Sequence, residues 1–201
     1  MKYKGCLIAV AAVVLLAVVV GGWLTGRYNK MVDLRSGQDG YEKAWADVQA
    51  QYQRRSDLIP NLVSTVKGYA DFEQKTLTDV VEARSKATQT TIDPSNLTAA
   101  GLEKFQAAQG ELSSALSRLM VVVEQYPDLK ANQNFLELQS QLEGTENRIA
   151  VARQRFNTAA STYNGYILKF PSNLIAVMFG FEKAALFQAE AGAEQAPKVE
   201  F

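Results

Sequence analysis

Two clusters of charged side chains have the types and spacing to do chemistry. Arg54, Arg55 and Asp57 stand within four positions of one another. Guanidiniums beside a carboxylate can clamp an anionic partner or close an ion pair on a neighbouring helix. Arg55 also falls on the apolar seam of its helix, so the competing reading is a structural network that satisfies the backbone around Pro60 and fixes register. Glu143, Glu146, Asn147, Arg148 and Arg153 form the second cluster. Paired carboxylates can perform acid–base work or bind a divalent cation. Glu143 and Glu146, however, lie three apart with Arg148 close by, the pattern of a solvated or salt-bridged helix face. Histidine is absent and Cys6 is the single cysteine. This removes His-based triads and general bases, His zinc ligands, Glu-x-x-His di-iron sites and any intramolecular disulfide. No catalytic, cofactor or metal residue is assigned, and a non-enzymatic role is expected.

The elements that must position these groups start with an apolar run. Of 201 residues, 47% are hydrophobic and 21% charged, which excludes an extended disordered chain. Charges balance at 21 against 21 with no basic block, arguing against nucleic acid as a partner. From Gly5 to Gly26 no residue is charged, a run longer than the roughly 20 residues that span a bilayer as a helix. Lys2 and Lys4 precede it, Trp23 marks one interface, and Arg27, Tyr28 and Lys30 follow. A cleaved signal peptide has an apolar core of about 7–15 residues, so a retained anchor at 5–26 after a short flank at 1–4 is the better reading. Cys6 stands at the very start of the run, whereas a lipid-modified cysteine follows one, so a plain transmembrane cysteine is the better reading. Arg27, Lys30, Arg35 and Lys43 outweigh Lys2 and Lys4 and lean towards a cytoplasmic C-terminal side, by a margin that does not fix orientation.

After Ser36–Gly40, whose two glycines interrupt the helix, apolar residues recur at helical spacing through Trp45, Val48, Tyr52, Ile59, Leu62, Val66, Tyr69, Leu77 and Val80. This predicts one long helix from Ala44 to Arg84. Pro60 costs about 3 kcal/mol inside a helix, but the apolar phase runs through it, so a kink is expected; Asp57 as the cap of a new helix keeps a two-helix reading open. Thr88–Asn96 is a turn. A second helix carries Leu102, Phe105, Leu112, Leu116, Leu119 and Val123, with Gln109 a polar break and Thr98 or Asn96 as cap; Tyr126-Pro127-Asp128 stops it. A third, capped by Asn132 or Asn134, alternates by three and four through Phe135, Leu138, Leu142, Thr145, Ile149, Ala152, Phe156, Ala159, Tyr163, Tyr166 and Phe170, a heptad seam. Gly68 and Gly144 inside helices point to close helix approach.

Leu174–Phe187 is a short segment that is apolar on most faces. It reads as a lid on the bundle or, through Phe179 and Phe181, as a contact with a neighbouring subunit or the membrane surface. The tail 188–201 reads as flexible, although its terminal Phe201 can dock in a partner groove by strand addition. At about 1.5 Å per residue, the helix over about 97–126 reaches back only to Pro60. That leaves Trp45, Val48 and Tyr52 uncovered. The expected fold is all-α: an N-terminal transmembrane helix followed by an antiparallel bundle of three long helices plus a short C-terminal helix. Residues 27–60 form a juxtamembrane segment and helical stalk, residues 61–187 the bundle, and copies associate as a homo-oligomer through the stalk.

Several blocks resemble the LemA family: Trp45, Gln51–Val63, Val66–Ala70, Tyr126–Asn132, Glu143–Ile149 and Phe179-Gly180-Phe181, with Tyr28-Asn29 after the apolar run. The resemblance implies a bacterial single-pass membrane protein of the cell envelope with a long-helix antiparallel bundle, anchored in the lipid bilayer through 5–26. It brings no catalytic residue or cofactor, and members sometimes occur with membrane-protease systems. Three roles follow: a self-assembling scaffold, which is the preferred one; an adaptor or sensor binding another envelope protein, with Leu174–Phe187 and Phe201 as binding surfaces; and a carboxylate enzyme.

Overall fold

Where the helices turn is decided by glycine, proline and a few side chains that replace missing backbone partners. The computed structural model describes residues 2–68, 73–94 and 97–188, with side chains of the first helix from Leu7 onward. It is all-α: α1 Lys2–Ser36, α2 Tyr41–Lys67, α3 Gln74–Gln89, α4 Ala99–Val123, α5 Pro127–Lys130, α6 Gln133–Leu168 and α7 Ser172–Phe179, with no strand among the described residues. The chain forms two compact units, one from residues up to Lys43 with Thr158–Ala184, the other from Ala44–Asn157 with the chain from Ala185 onward. Phe201, the tail beyond Gln188, Tyr69 and the capping candidate Asn96 lie outside the described residues.

In the first unit α1 stops where Gly37 N–H bonds to the Asp33 carbonyl and Gly40 N–H to that of Gly37. A Cβ on Gly37 or Gly40 would run into the carbonyl oxygens of Asp33 or Arg35, so only glycine makes this turn. Arg35 and Glu42 close it with an ion pair at 2.6 Å. α7 packs on α1. It ends at Gly180, which takes the left-handed conformation (φ 71°), while Phe181 N–H bonds back to the Ala176 carbonyl, a standard glycine-terminated helix end. The short C-terminal helix therefore spans Ser172–Phe179; Phe181 to Gln188 has no regular secondary structure.

The second unit departs from the expectation of one helix from Ala44 to Arg84. α2 runs unbroken through Pro60, but helix is lost after Lys67 and α3 begins only at Gln74. Gln49 Nε2 donates to the Ile92 carbonyl and Arg84 Nε to the Ser56 carbonyl. Each pair of positions adds to about 140, so α2 and α3 are antiparallel arms of a hairpin. Gly68, with one of the poorest helix propensities, sits at its bend rather than at a helix–helix contact. α4 returns against α3, tied by Gln109 Nε2 to the Ala87 carbonyl and by Lys86 to Glu111. Thr98 caps α4 by accepting from Gly101 N–H, and Asn132 accepts from Phe135 N–H at the start of α6. Ile59, Leu62 and Val66 then share a core with Leu77, Val80, Leu112, Leu119 and Phe135.

The uncovered stalk is also corrected. Trp45 and Val48 are fully buried and Tyr52 and Ile59 nearly so. Trp45 packs edge-on against Phe105 at 5.2 Å and Phe156 at 5.5 Å. The length estimate failed because it lacked the hairpin: α3 folds back to the level of Gln49, so α4 starts there, and α6 antiparallel to α2 (Trp45 on Phe156, Arg55 on Glu146) covers the stripe. The seam of α6 follows the expected positions from Phe135 to Phe156 but continues as Ala160, Tyr163 and Ile167, not Ala159, Tyr166 and Phe170. A straight helix of 3.6 residues per turn outruns a strict heptad and needs such an extra residue.

Burial of this kind predicts that Trp45→Ala destabilises the protein by about 3–5 kcal/mol, read by denaturant unfolding in detergent. A Cβ on Gly144 would touch only the Arg148 guanidinium of its own helix, at 3.6 Å. Gly144→Ala should therefore stabilise by about 1 kcal/mol; destabilisation would restore the close-approach reading.

Candidate functional site

The polar centre of the second unit is Arg55, whose side chain is only 2% exposed. Residues three and four apart share a helix face, and Tyr52, Arg55, Ile59 and Leu62 thereby point the guanidinium into the bundle. Nη1 donates to Ser113 Oγ and to Glu146 Oε2, each at 2.8 Å, and Nη2 to Gln109 Oε1 at 2.7 Å and, more weakly, to its carbonyl at 3.3 Å. The Tyr52 ring lies 5.1 Å from the guanidinium carbon, close enough for a cation–π contribution. Gln109 passes the network on to α3 through the Ala87 carbonyl. One side chain on α2 thus ties α4 and α6 directly and α3 through an amide.

The other charges of both clusters face elsewhere. Arg54 and Asp57 are exposed, and Asp57 accepts from Gln53 on its own helix, so of the three only Arg55 turns into the bundle, where it closes an ion pair on a neighbouring helix. The partners of Arg55 come from α4 and α6. Glu143 accepts from Gln139 while Glu146 turns inward to Arg55, so these carboxylates do not share a site. Among the described residues no three acidic or thiol side chains converge on a metal position. A cleft of about 440 Å³ lined by Asp47, Gln51, Asn147, Arg148 and Arg155 brings a carboxylate, guanidiniums and amides together.

Backbone freed by Pro60 is served by a residue the sequence reading did not single out. Pro60 has no N–H for the carbonyl four residues earlier, which is that of Ser56, and Arg84 Nε donates to it at 2.8 Å. Asn157 is the other omission. Its amide accepts from Phe187 N–H and donates to Phe187 C=O, while the Phe187 ring packs against both Trp45 and Phe156 with the Arg153 guanidinium 4.5 Å from its centre. A polar residue on a helix flank carries no sequence signal for such pairing. In the first unit, Asn164 grips Ala184 in the same two-bond manner.

Phe179 and Phe181, the other interaction candidates, pack edge-on against Tyr28 of α1, with ring centres 5.0 and 5.5 Å apart. Close by in sequence, Tyr163 is fully buried and donates to the Glu182 carbonyl. Burial, followed by the neighbouring Tyr41, pushes its phenol up to about 12. Tyr41 and Tyr52 are also raised, chiefly by burial.

A family model described as the LemA family matches residues 44–201. The chain is 30% identical over 181 residues to Magnetosome protein MamQ 2 of Paramagnetospirillum magneticum, covering 81% of this chain and 65% of that protein. It is 28% identical to Magnetosome protein MamQ of Magnetospirillum gryphiswaldense, with 80% and 64% covered. It is 27% identical over 164 residues to Protein LemA of Metamycoplasma hominis, with 82% and 70% covered. The chain thus spans just under two thirds of the length of the magnetosome relatives.

Two outcomes follow. Arg55→Ala should destabilise by about 3–5 kcal/mol, as when a buried ion pair loses a partner, whereas Glu146→Gln, which keeps an acceptor at the solvent edge, should cost about 1 kcal/mol; equal losses would mean that the exposed carboxylate dominates. A phenol raised in the folded state stabilises below its unfolded value and loses that contribution as pH rises through the folded one. Stability should therefore fall between pH 10 and about 12, with part of the tyrosinate absorbance appearing only on unfolding. Tyr163→Phe should flatten that fall.

Proposed function

From the premise that the chain belongs to the LemA family, we propose that it is a membrane-anchored, non-catalytic scaffold of the bacterial envelope that self-associates through its transmembrane helix. One observation carries the reading. Of the two charged clusters, Arg55 and Glu146 are committed to an internal network with Gln109 and Ser113, while large exposed apolar residues are concentrated on α1 and on and next to α7. A chain so built offers surface rather than chemistry.

α1 has the length and composition to cross a bilayer, and its apolar window is wholly unburied. With the Trp45 stripe covered, self-association moves to this helix. Gly22 and Gly26 are four apart, and nothing lies within 4 Å of where their Cβ atoms would be. That spacing lets helix backbones approach closely in lipid. The adaptor reading, in which another envelope protein binds the bundle, is the alternative if copies do not associate.

The mass of the detergent-purified full-length protein distinguishes the two. A discrete oligomer that becomes monomeric in a Gly22→Ile, Gly26→Ile variant is the expected result. A monomeric wild-type chain would remove self-assembly and leave the adaptor reading in front.

A further inference from the structure

We infer that α7 is a membrane-interface helix, with its outward apolar face, together with Leu168 and Phe170, seated in the headgroup–acyl boundary of the bilayer that α1 crosses. The inference rests on the anchoring part of the proposed function and adds a second lipid contact within the same compact unit.

Residues 171–181 contain no charged side chain, yet Lys169 precedes them and Glu182 and Lys183 follow. Ile175 and Ala176 are buried, whereas Leu174, Val177 and Met178 share one face at spacings of three and four and are exposed, Val177 by 85%. Phe170 is 80% exposed and Leu168 and Phe179 more than half. Six large apolar residues within twelve positions exceed the scattered exposure usual on a water-facing surface.

What covers them is indicated by their neighbours. Phe179 and Phe181 pack on Tyr28, two residues beyond the apolar run of α1. Arg27 reaches the Tyr166 hydroxyl at 3.4 Å and lies over the rings of both Trp23 and Tyr166. Trp, Tyr and basic residues of this kind mark the membrane–water boundary of a spanning helix. The end of α6 and the whole of α7 are therefore held at the level where α1 leaves the lipid. An uncharged helix of eight residues is too short to cross, but an amphipathic one at that depth buries its apolar face about 5–10 Å into the boundary. Lys169 and Lys183, both exposed, are placed to reach the headgroups.

Nitroxide accessibility tests this on the full-length chain in phosphatidylcholine–phosphatidylglycerol liposomes. Cys6 is replaced by Ser and single labels are set at Val13, Val151, Leu174 and Val177. Each label is probed with oxygen, which concentrates in lipid, and with a water-soluble nickel chelate. The expected result is an oxygen-to-nickel ratio at 174 and 177 shifted to that of Val13 and away from that of Val151. Lipid access at Val13 with water access at 174 and 177 would overturn the inference and leave the anchor standing. Water access at Val13 would overturn the anchor and the inference with it. Spin–spin broadening at Val177 that disappears on dilution with unlabelled protein would assign the face to a second copy and overturn the inference as well.

Discussion

The second unit depends on a buried guanidinium that has to be satisfied. A positive charge removed from water is tolerated only if its donors find acceptors. Arg55 finds them for its two terminal nitrogens on α4 and α6 at once, in Gln109, Ser113 and Glu146, while its Nε is left without one. A slide of either helix by one turn would carry those acceptors about 5.4 Å away. Apolar contacts among Leu, Ile and Val tolerate such slips far better, because any methyl fills a gap. Arg55 therefore fixes register where leucines would only supply cohesion. Gln109, a break in an otherwise apolar stripe, is the polar complement that the stripe must contain. Its amide has the donor and acceptor needed to satisfy Arg55 and the open end of α3 together.

Much of this fold is written in local periodicity, which is why the all-α class, the long apolar helix, the helix through Pro60 and, each as one of two candidates, the Thr98 and Asn132 caps were legible in the sequence. What was not legible depends on pairing between distant segments. The phase of Ile59, Leu62, Val66, Leu77 and Val80 continues smoothly across Gly68, so nothing in the spacing says that the chain reverses there. A hairpin whose two arms bury the same face keeps that phase as well as a straight helix does. Once the reversal was missed, the length estimate stranded Trp45, Val48 and Tyr52 in solvent, where the structure has none of them. For the site, the choice between a clamp and a register-fixing network around Arg54, Arg55 and Asp57 was open. The network reading fits Arg55 alone, and the freed carbonyl next to Pro60 is met by Arg84, 28 residues away.

The stretch after Gly180 illustrates a second kind of hidden information. Its apolar residues suggest a continuing helix, yet glycine in the left-handed conformation ends it. The irregular chain that follows has peptide groups with no helix or sheet to join. Asn164 and Asn157 supply the missing partners, each with one donor and one acceptor for a single residue of the segment. Asparagine does this better than a charged residue because its amide mirrors a peptide group. On a helical wheel both look like solvent-facing polar positions.

Function follows from how the chain divides its surfaces. Buried tyrosines, the Arg55 network and the Arg84 bond use much of the polar chemistry inside the bundle to hold its helices together. The large apolar surface that remains outside is not scattered over that bundle. It is concentrated on α1 and on α7 with the end of α6, where aromatic rings and Arg27 bind the segments of the first unit together. Apolar surface costs about 25 cal/mol per Å² to keep in water, so a patch concentrated in this way favours a neighbour other than water. α1, long and apolar enough to cross a bilayer, and the short apolar helix packed on it carry that surface together.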